Sequence, residues 1–199
     1  MSDTLNNVID YKKQFVDHFN YLRDNFKYGY IRNGKPETEN WDDFDKCWKY
    51  RSVNQIKKDK VGICYDYSLL TFDEFNDKSW CELIPVFFHA KNDSKHELAT
   101  HTVCFIRIIN KENEVVAIES AWDLYKGVHQ FDSIKQGMFK YKKYLEKQYE
   151  SNYDYVIKFY DPLDKKLFGK TQIEFEKYII EHGIDFKNNV IVSYGNIRN

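Results

Sequence analysis

A strongly apolar helix pattern followed by several strand patterns limits most how this chain can fold. Tyr65, Leu69 and Phe72 recur at helical spacing, and Leu70 and Phe75 widen the apolar face. Since a helix with so wide an apolar face has to be covered on several sides, we expect it near the centre of the molecule. The segments that follow are rich in β-branched and aromatic residues and have strand patterns: 79–90, 101–109 and 114–122. The last two are expected to pair as an antiparallel hairpin.

Further helix and strand patterns on both sides of this core predict an α+β fold. Polar caps mark three helix starts, at Thr4, at Asp132 and at Thr171, where Glu174 completes a capping box and Gly183 ends the pattern. The predicted elements outside the core are helices over 5–26, over 133–149 and between Thr171 and Gly183, and strands over 154–160 and 190–194. The polar span 32–45 is expected to be a loop beside a cleft. Because helices and strands follow in an irregular order, the fold class is α+β.

The charge and apolar patterns argue against nucleic-acid and membrane partners. The chain has 30 Lys and Arg against 31 Asp and Glu, a formal net charge of −1, and both signs are interleaved along its length. We find neither an apolar leader nor 18 uncharged apolar residues in a row, so we expect a cytoplasmic protein without a membrane span. With 199 residues and no recognisable linker, residues 1–199 are expected to form a single domain.

Four cysteines are present, and their spacing predicts free thiols. Cys47, Cys64, Cys81 and Cys104 lie 17, 17 and 23 residues apart in a chain without a secretory signal, a context that disfavours disulfides. The sequence has no CxxC or HxxxH pair, which are common local spacings of zinc ligands. We therefore expect neither a metal site nor another cofactor.

Cys64 has the position of a nucleophile. It follows Gly62 and opens the central helix, where the helix dipole and the unpaired backbone N–H groups stabilise a thiolate over a thiol. Gly62 is expected to let the backbone turn sharply, and the same N–H groups could hold an oxyanion, with Gln55 or Trp48 as a second donor. The alternative is that Cys64 is a small apolar residue of the core, as most free cysteines are.

His101 is the expected general base. It begins a predicted strand, where the sheet holds its backbone while the imidazole faces a cleft. Strand alternation points Cys104 to the other face of the sheet. His129 is the rival base. The other histidines lie on helices or near a polar loop and are expected at the surface: His18, His89, His96 and His182.

An acid on the paired strand would orient the imidazole, and two residues are candidates. Glu119 has the right type and lies on the right face. If the hairpin closes over residues 110–114, Ile109 pairs with Val115, and this register sets Asp123 opposite His101. A bulge or a longer loop would bring Glu119 into place instead. Glu119 is the preferred third residue and Asp123 the alternative, while either could be a solvated charge at a strand end.

Several motifs together resemble a known family. GICYD at 62–66, THTVCFI at 100–106 and AIESAW at 117–122 are similar to the glycine-x-cysteine-x-aspartate, threonine-histidine-threonine and glutamate strand elements of bacterial transglutaminase-like proteins, which have a papain-like fold. The resemblance implies a Cys-His-acid triad carried by Cys64, His101 and Glu119. It also implies that the Cys64 helix packs on an antiparallel sheet, and Trp122 resembles the aromatic residue that shields such a triad.

The expected function is cysteine-dependent acyl transfer or amide hydrolysis. The Cys64 thiolate would attack an amide or thioester carbonyl of a protein, a peptide or a small amide, and water or an amine would resolve the acyl-enzyme. Two alternatives remain. The chain could be a catalytically inactive binding or scaffold module with the same fold, or Cys64 could be a redox-sensing thiol.

Overall fold

The computed structural model describes residues 10–91, 100–109, 111, 114–123, 125–149 and 154–186. Its helices are α1 (Tyr11–Asn25), α2 (Phe44–Cys47), α3 (Val53–Asp59), α4 (Cys64–Phe75), α5 (Ile134–Gln148) and α6 (Gln172–His182). Its strands are β1 (Lys27–Tyr28), β2 (Tyr30–Arg32), β3 (Lys35–Glu37), β4 (Val61–Gly62), β5 (Cys81–Ala90), β6 (Thr100–Ile108), β7 (Val115–Glu119), β8 (Gly127–Phe131), β9 (Tyr155–Phe159) and β10 (Ile184–Asp185). No helix in these ranges is long and apolar enough to cross a lipid bilayer.

A six-stranded antiparallel sheet in the order β10-β9-β5-β6-β7-β8 forms the framework and confirms the α+β class. Strand β8 was not predicted, because its short sequence GVHQF has little apolar alternation. The predicted β6–β7 hairpin is present, but its register differs by two residues: Phe105 pairs with Ala117, and Arg107 pairs with Val115. The β6–β7 ladder ends at a hydrogen bond from the Ile108 N–H to the Glu114 carbonyl, whereas the predicted register ended at the Ile109–Val115 pair. An even shift leaves every side chain on its predicted face.

The two faces of the sheet are covered by different helices. Helix α5 packs its apolar stripe on the face that carries Val103, Phe105 and Ala117. Gly137 allows this close approach, because a Cβ at that position would lie 2.6 Å from the Phe105 ring. Helices α1 and α4 pack on the opposite face, which carries Cys104 and other apolar residues of β5 to β7. Alternation along the strands thus separates Cys104 from the His101 face, as predicted.

Some predicted helix caps are confirmed and others are wrong. Helix α6 has the expected capping box, since the Glu174 carboxylate accepts a hydrogen bond from the Thr171 N–H. Helix α5 is capped by Ser133 and not by Asp132. Helix α1 begins at Tyr11 behind Asp10, whose carboxylate accepts from the Lys13 N–H. The predicted cap Thr4 and the predicted strand over 190–194 lie outside the described residues.

The region before α4 contains short helices and strands whose sequences show no helical or strand periodicity. The predicted loop over 32–45 includes part of the β2–β3 hairpin and the first residues of α2. Strand β4 pairs in parallel with β1, with Gly62 opposite Tyr28. These elements pack their aromatic residues against the N-terminal end of α4. They therefore build the surroundings of Cys64.

Candidate active site

Cys64 lies at the first position of α4, and Asp66 holds this end of the helix in place. The Asp66 carboxylate is fully buried and accepts a hydrogen bond of 3.0 Å from the Ile63 N–H. The Trp48 indole N–H donates to the same carboxylate at 3.2 Å, and the Arg51 guanidinium pairs with it at 3.0 Å. Burial raises the pKa of Asp66, although the Arg51 charge and these hydrogen bonds oppose that effect. A buried, multiply bonded carboxylate thus fixes the position of the helix start.

Gly62 is required for space and not for the sharp turn that the sequence suggested. Its backbone continues the β1–β4 ladder, and the Gly62 carbonyl accepts from the Gly29 N–H at 3.0 Å. A Cβ on Gly62 would lie only 2.8 Å from the Cβ of Asp66. The missing side chain therefore lets Asp66 approach the strand and cap the helix that begins with Cys64.

His101 and Glu119 form a buried pair at the end of the sheet where β6 begins and β7 ends. The Nε2 atom of His101 lies 2.9 Å from Oε2 of Glu119, and both side chains are buried. The other carboxylate oxygen of Glu119 accepts from the N–H groups of Ala121 at 2.8 Å and Trp122 at 3.2 Å. Extending the observed register sets Glu119 opposite Val103, so it reaches the imidazole diagonally on the same face.

The electrostatics of this pair favour a charged imidazole. Burial alone lowers the pKa of His101, but the Glu119 charge and the interactions with Cys64 outweigh it and raise that pKa to about 10. Burial likewise disfavours the charged form of Glu119, yet the His101 charge and hydrogen bond, with the two backbone N–H groups, hold the Glu119 pKa below its usual value. The pair is therefore arranged to hold an imidazolium next to a carboxylate.

The Cys64 thiol lies beside the same imidazole. Its interactions with the His101 ring raise the His101 pKa. The Nδ1 atom has no partner of ordinary hydrogen-bond geometry within the described part of the chain. The thiol is thus next to the ring without a fully formed hydrogen bond, and Nδ1 is the ring nitrogen that Glu119 leaves free. Cys64 itself is 7% exposed.

The alternative acid and the rival base are both elsewhere. The Asp123 side chain is 89% exposed and pairs with Lys126 at 2.5 Å. His129 lies on β8, where its Nε2 is 2.6 Å from the Tyr125 carbonyl oxygen. Neither residue lines the cavity at Cys64. The structure brings Cys64, His101 and Glu119 together and leaves Asp123 and His129 out.

Two further histidines are less exposed than expected. His18 is buried with Nε2 3.2 Å from the Thr71 hydroxyl oxygen, and burial lowers its pKa to about 4. His89 is partly exposed, with 28% of its side chain accessible and Nδ1 3.8 Å from the Glu176 carboxylate. His96 lies outside the described residues. Neither His18 nor His89 lines the cavity at Cys64.

A small aromatic cavity of about 170 Å³ opens onto Cys64. Trp122 forms part of its wall and stacks on His101, with ring centroids 4.0 Å apart and planes inclined by 22°. The remaining wall residues come from the chain on both sides of α4 and from α6: Tyr28, Trp41, Phe44, Ile63, Tyr65, Thr100, Tyr149 and Gln172. Several of the aromatic residues of the chain thus line this cavity, and some of them, such as Phe44 and Tyr65, also belong to the buried core.

Neither predicted side-chain donor for an oxyanion is available. The Trp48 N–H is bonded to Asp66, and the Gln55 amide donates to Asp59 on the surface of α3. Gln172 is a polar cavity residue that the sequence did not predict, because nothing near it in the chain indicates that α6 reaches Cys64. Over the ranges that the structure covers, no three His, Cys, Asp or Glu side chains are grouped to hold a metal ion.

Comparison with known proteins supports the resemblance noted in the motifs. A family model described as a transglutaminase-like domain matches residues 1–115 of this chain. The matched range includes Cys64 and His101 and ends before Glu119. No curated protein matches the sequence.

Proposed function

The chain belongs to the transglutaminase-like domain family, and from this premise we propose that it is a cysteine-dependent enzyme that transfers or hydrolyses acyl groups. Cys64 is the proposed nucleophile, His101 the general acid and base, and Glu119 the residue that orients the imidazole. The substrate class is an amide or thioester of a protein, a peptide or a small molecule.

The proposed reaction needs only these side chains and the start of α4. The Cys64 sulfur bonds to the carbonyl carbon, and the thiol proton is held by Nδ1 of His101. When the bond between this carbon and the leaving nitrogen breaks, the proton leaves with the amine. Water or a second amine then attacks the thioester carbon, and the bond from this carbon to sulfur breaks. The proton of the attacking group passes through His101 to the sulfur, which restores the thiol and releases the acid or the new amide. First-turn N–H groups of α4 have no partner within the helix and can stabilise the oxyanion.

The observation that carries the proposal is that side chains from α4, β6 and β7 meet at the His101 imidazole. A thiol at a helix N-terminus lies beside His101, and the opposite ring nitrogen is 2.9 Å from a buried carboxylate. Glu119 is held by two backbone N–H groups, and Trp122 covers the ring, so the imidazole has little freedom to rotate. A buried acid and base pair of this kind is typical of functional sites.

Acylation by 4-nitrophenyl acetate tests the proposal. We expect an acetyl group on Cys64, detected by peptide mass spectrometry, and continued release of nitrophenolate. Cys64→Ala should abolish both, and His101→Ala should slow acylation by about 100-fold or more, the usual contribution of a general base. His129→Ala removes a histidine outside the cavity and should leave acylation unchanged. Equal acylation of all variants would contradict the proposal.

One observation favours the alternative of an inactive binding or scaffold module. Cys64 is 7% exposed, and its cavity of about 170 Å³ is small for a protein substrate. A scaffold of this kind would be folded normally, would not accumulate acetyl-Cys64 and would release nitrophenolate no faster than Cys64→Ala. The same experiment therefore separates the two functions.

A further inference from the structure

A second and larger cavity adjoins the one at Cys64. It has a volume of about 660 Å³ and lies between α6, the Trp41–Asp45 segment, the end of β5 and the start of β6; we call it the α6 groove. The two cavities share four wall residues: Trp41, Phe44, Thr100 and Gln172. A ligand in the α6 groove would therefore be next to the Cys64 cavity.

The α6 groove has an excess of negative charge. Its charged wall residues are Asp42, Asp45, Glu176, Glu181, Lys91 and Lys177. Both lysines are already paired, Lys91 with Asp154 at 2.8 Å and Lys177 with Glu181 at 4.0 Å. Asp42 and Asp45 have no ion-pair partner in the portion of the chain that the structure describes. The groove thus attracts cations and repels anions.

Glu176 is fixed in this groove with one carboxylate oxygen unused. Its Oε1 accepts hydrogen bonds from the Tyr65 hydroxyl at 2.7 Å, the Thr100 hydroxyl at 3.0 Å and the Gln172 amide at 2.8 Å. Its Oε2 accepts no hydrogen bond from a described residue, and Nδ1 of His89 lies 3.8 Å away, beyond hydrogen-bond distance. The carboxylate is therefore held rigidly while Oε2 can still accept from a ligand.

Gln172 supplies a second unused acceptor where the two cavities meet. The side chain is 2% exposed, and its Oε1 has no hydrogen-bond partner among the described residues. The amide cannot simply be turned around, because Oε1 would then face the Glu176 carboxylate in place of the donating Nε2. A buried acceptor without a partner is unfavourable, and a ligand N–H group would satisfy it.

We propose that the α6 groove binds a cationic side chain, lysine or arginine, of a peptide substrate whose carbonyl group is attacked by Cys64. An ammonium or guanidinium group carries the N–H donors that these two oxygens, Oε2 of Glu176 and Oε1 of Gln172, lack among the described residues. The Trp41 and Phe44 rings line the same groove and suit the aliphatic stem and the charge of such a side chain. This inference rests on the proposed function, since it names the substrate class of that site.

Peptidyl acyloxymethyl ketones that alkylate the active-site thiol test this preference. Three reagents carry lysine at the first, second or third residue before the reactive group, and each has a partner with norleucine, which keeps the stem and removes the charge. At least one lysine reagent should alkylate Cys64 about tenfold faster than its partner, the effect of one charge-assisted hydrogen bond. Equal rates for all three pairs would overturn the inference.

Variants connect the preference to the groove. Glu176→Gln should remove most of the preference for lysine. Asp42→Asn combined with Asp45→Asn, at one exposed and one partly exposed position, should weaken it with little cost to folding. Glu146→Gln removes the same charge from α5, outside both cavities, and should leave the preference unchanged. If both groove variants keep the full preference for lysine, the cation binds outside the α6 groove and the inference is wrong.

Alkylation by iodoacetamide separates this inference from the proposed function. This small neutral reagent measures the reactivity of Cys64 and does not reach the α6 groove. If iodoacetamide alkylates Cys64 faster than the other cysteines but the lysine and norleucine reagents alkylate it at equal rates, the groove inference fails and the proposed function stands. If iodoacetamide does not select Cys64 and the reagents fail to label it, the proposed function fails.

Discussion

At the scale of single residues, the charge state of His101 is the property on which the proposed chemistry depends. Burial lowers the pKa of this imidazole, whereas the Glu119 charge and Cys64 raise it to about 10. The unfolded value is about 6.5. Because the folded pKa is the higher one, the stabilisation that comes from protonating His101 is complete below about pH 6.5, and it is lost as the pH rises through the folded pKa.

Replacing the acid should reverse the shift. In Glu119→Gln the largest effect that raises the His101 pKa is gone and burial remains, so we expect the pKa of His101 to fall below its wild-type value. NMR titration of the imidazole ring measures this directly. Asp123→Asn is the matched control, since Asp123 is the alternative acid and lies exposed. A His101 titration that is unchanged in Glu119→Gln would contradict the assigned partner.

The same substitution has a consequence for stability. Removing one partner of a buried ion pair leaves the other charge without compensation, so Glu119→Gln should lower the free energy of unfolding by about 3 kcal/mol near neutral pH. The difference from the wild type should shrink as the pH approaches the folded His101 pKa, because the imidazole is then neutral in both proteins. Urea denaturation at a series of pH values tests this. A difference in unfolding free energy that grows above neutral pH would contradict this prediction.

At the scale of elements, α4 was predictable from local pattern, but the support of its first turn was not. Apolar spacing predicted a helix that begins near Cys64, and the structure has α4 at Cys64–Phe75. Arg51 and Trp48, which bind the Asp66 carboxylate, precede it by fifteen or more residues in segments without periodicity. Similarly, strand alternation placed Glu119 on the His101 face of the sheet. The register of the two strands was not predicted, because it depends on the turn between β6 and β7 and no sequence pattern shows where this turn closes.

A substitution at Gly62 tests how the first turn of α4 is held in place. In Gly62→Ala the new Cβ would lie 2.8 Å from the Asp66 Cβ, so Asp66 has to move and the α4 cap is disturbed. We expect a loss of about 1–3 kcal/mol in unfolding free energy, as for other overpacked sites, together with slower alkylation of Cys64 by iodoacetamide.

Gly34→Ala is the matched control for that substitution. Gly34 has a φ of 76° but open space around it, so the variant should lose stability through backbone strain alone. Alkylation of Cys64 in Gly34→Ala should remain at the wild-type rate. If both glycine variants slow alkylation equally, the effect of Gly62→Ala is not specific to the start of α4.

At the scale of the whole molecule, the candidate site is a meeting point of distant segments. Cys64, His101 and Glu119 come from α4, β6 and β7, and the motifs around them were recognisable because each motif is local. The α6 groove joins residues from Trp41 to Glu181, and no local pattern indicates that such residues share a surface. The sequence therefore predicted the reacting side chains better than the surface that would select a substrate.

Tyr65 links these distant parts and offers a test of their coupling. Its hydroxyl donates to Glu176, so it connects the residue after Cys64 to α6. Tyr65→Phe should cost about 1 kcal/mol of unfolding free energy, the usual value of one hydrogen bond, and it should reduce the lysine preference by freeing Glu176. A full lysine preference in this variant would mean that Tyr65 does not position Glu176.

The most direct measurement compares how fast iodoacetamide alkylates each of the four cysteines near pH 6.5, in the wild type and in His101→Ala. The imidazole beside Cys64 should make this thiol react about tenfold faster than Cys47, Cys81 or Cys104, although it is largely buried, and His101→Ala should remove that advantage. If Cys64 reacts no faster than Cys47, or just as fast without His101, the thiol and the imidazole do not act together and the account is wrong.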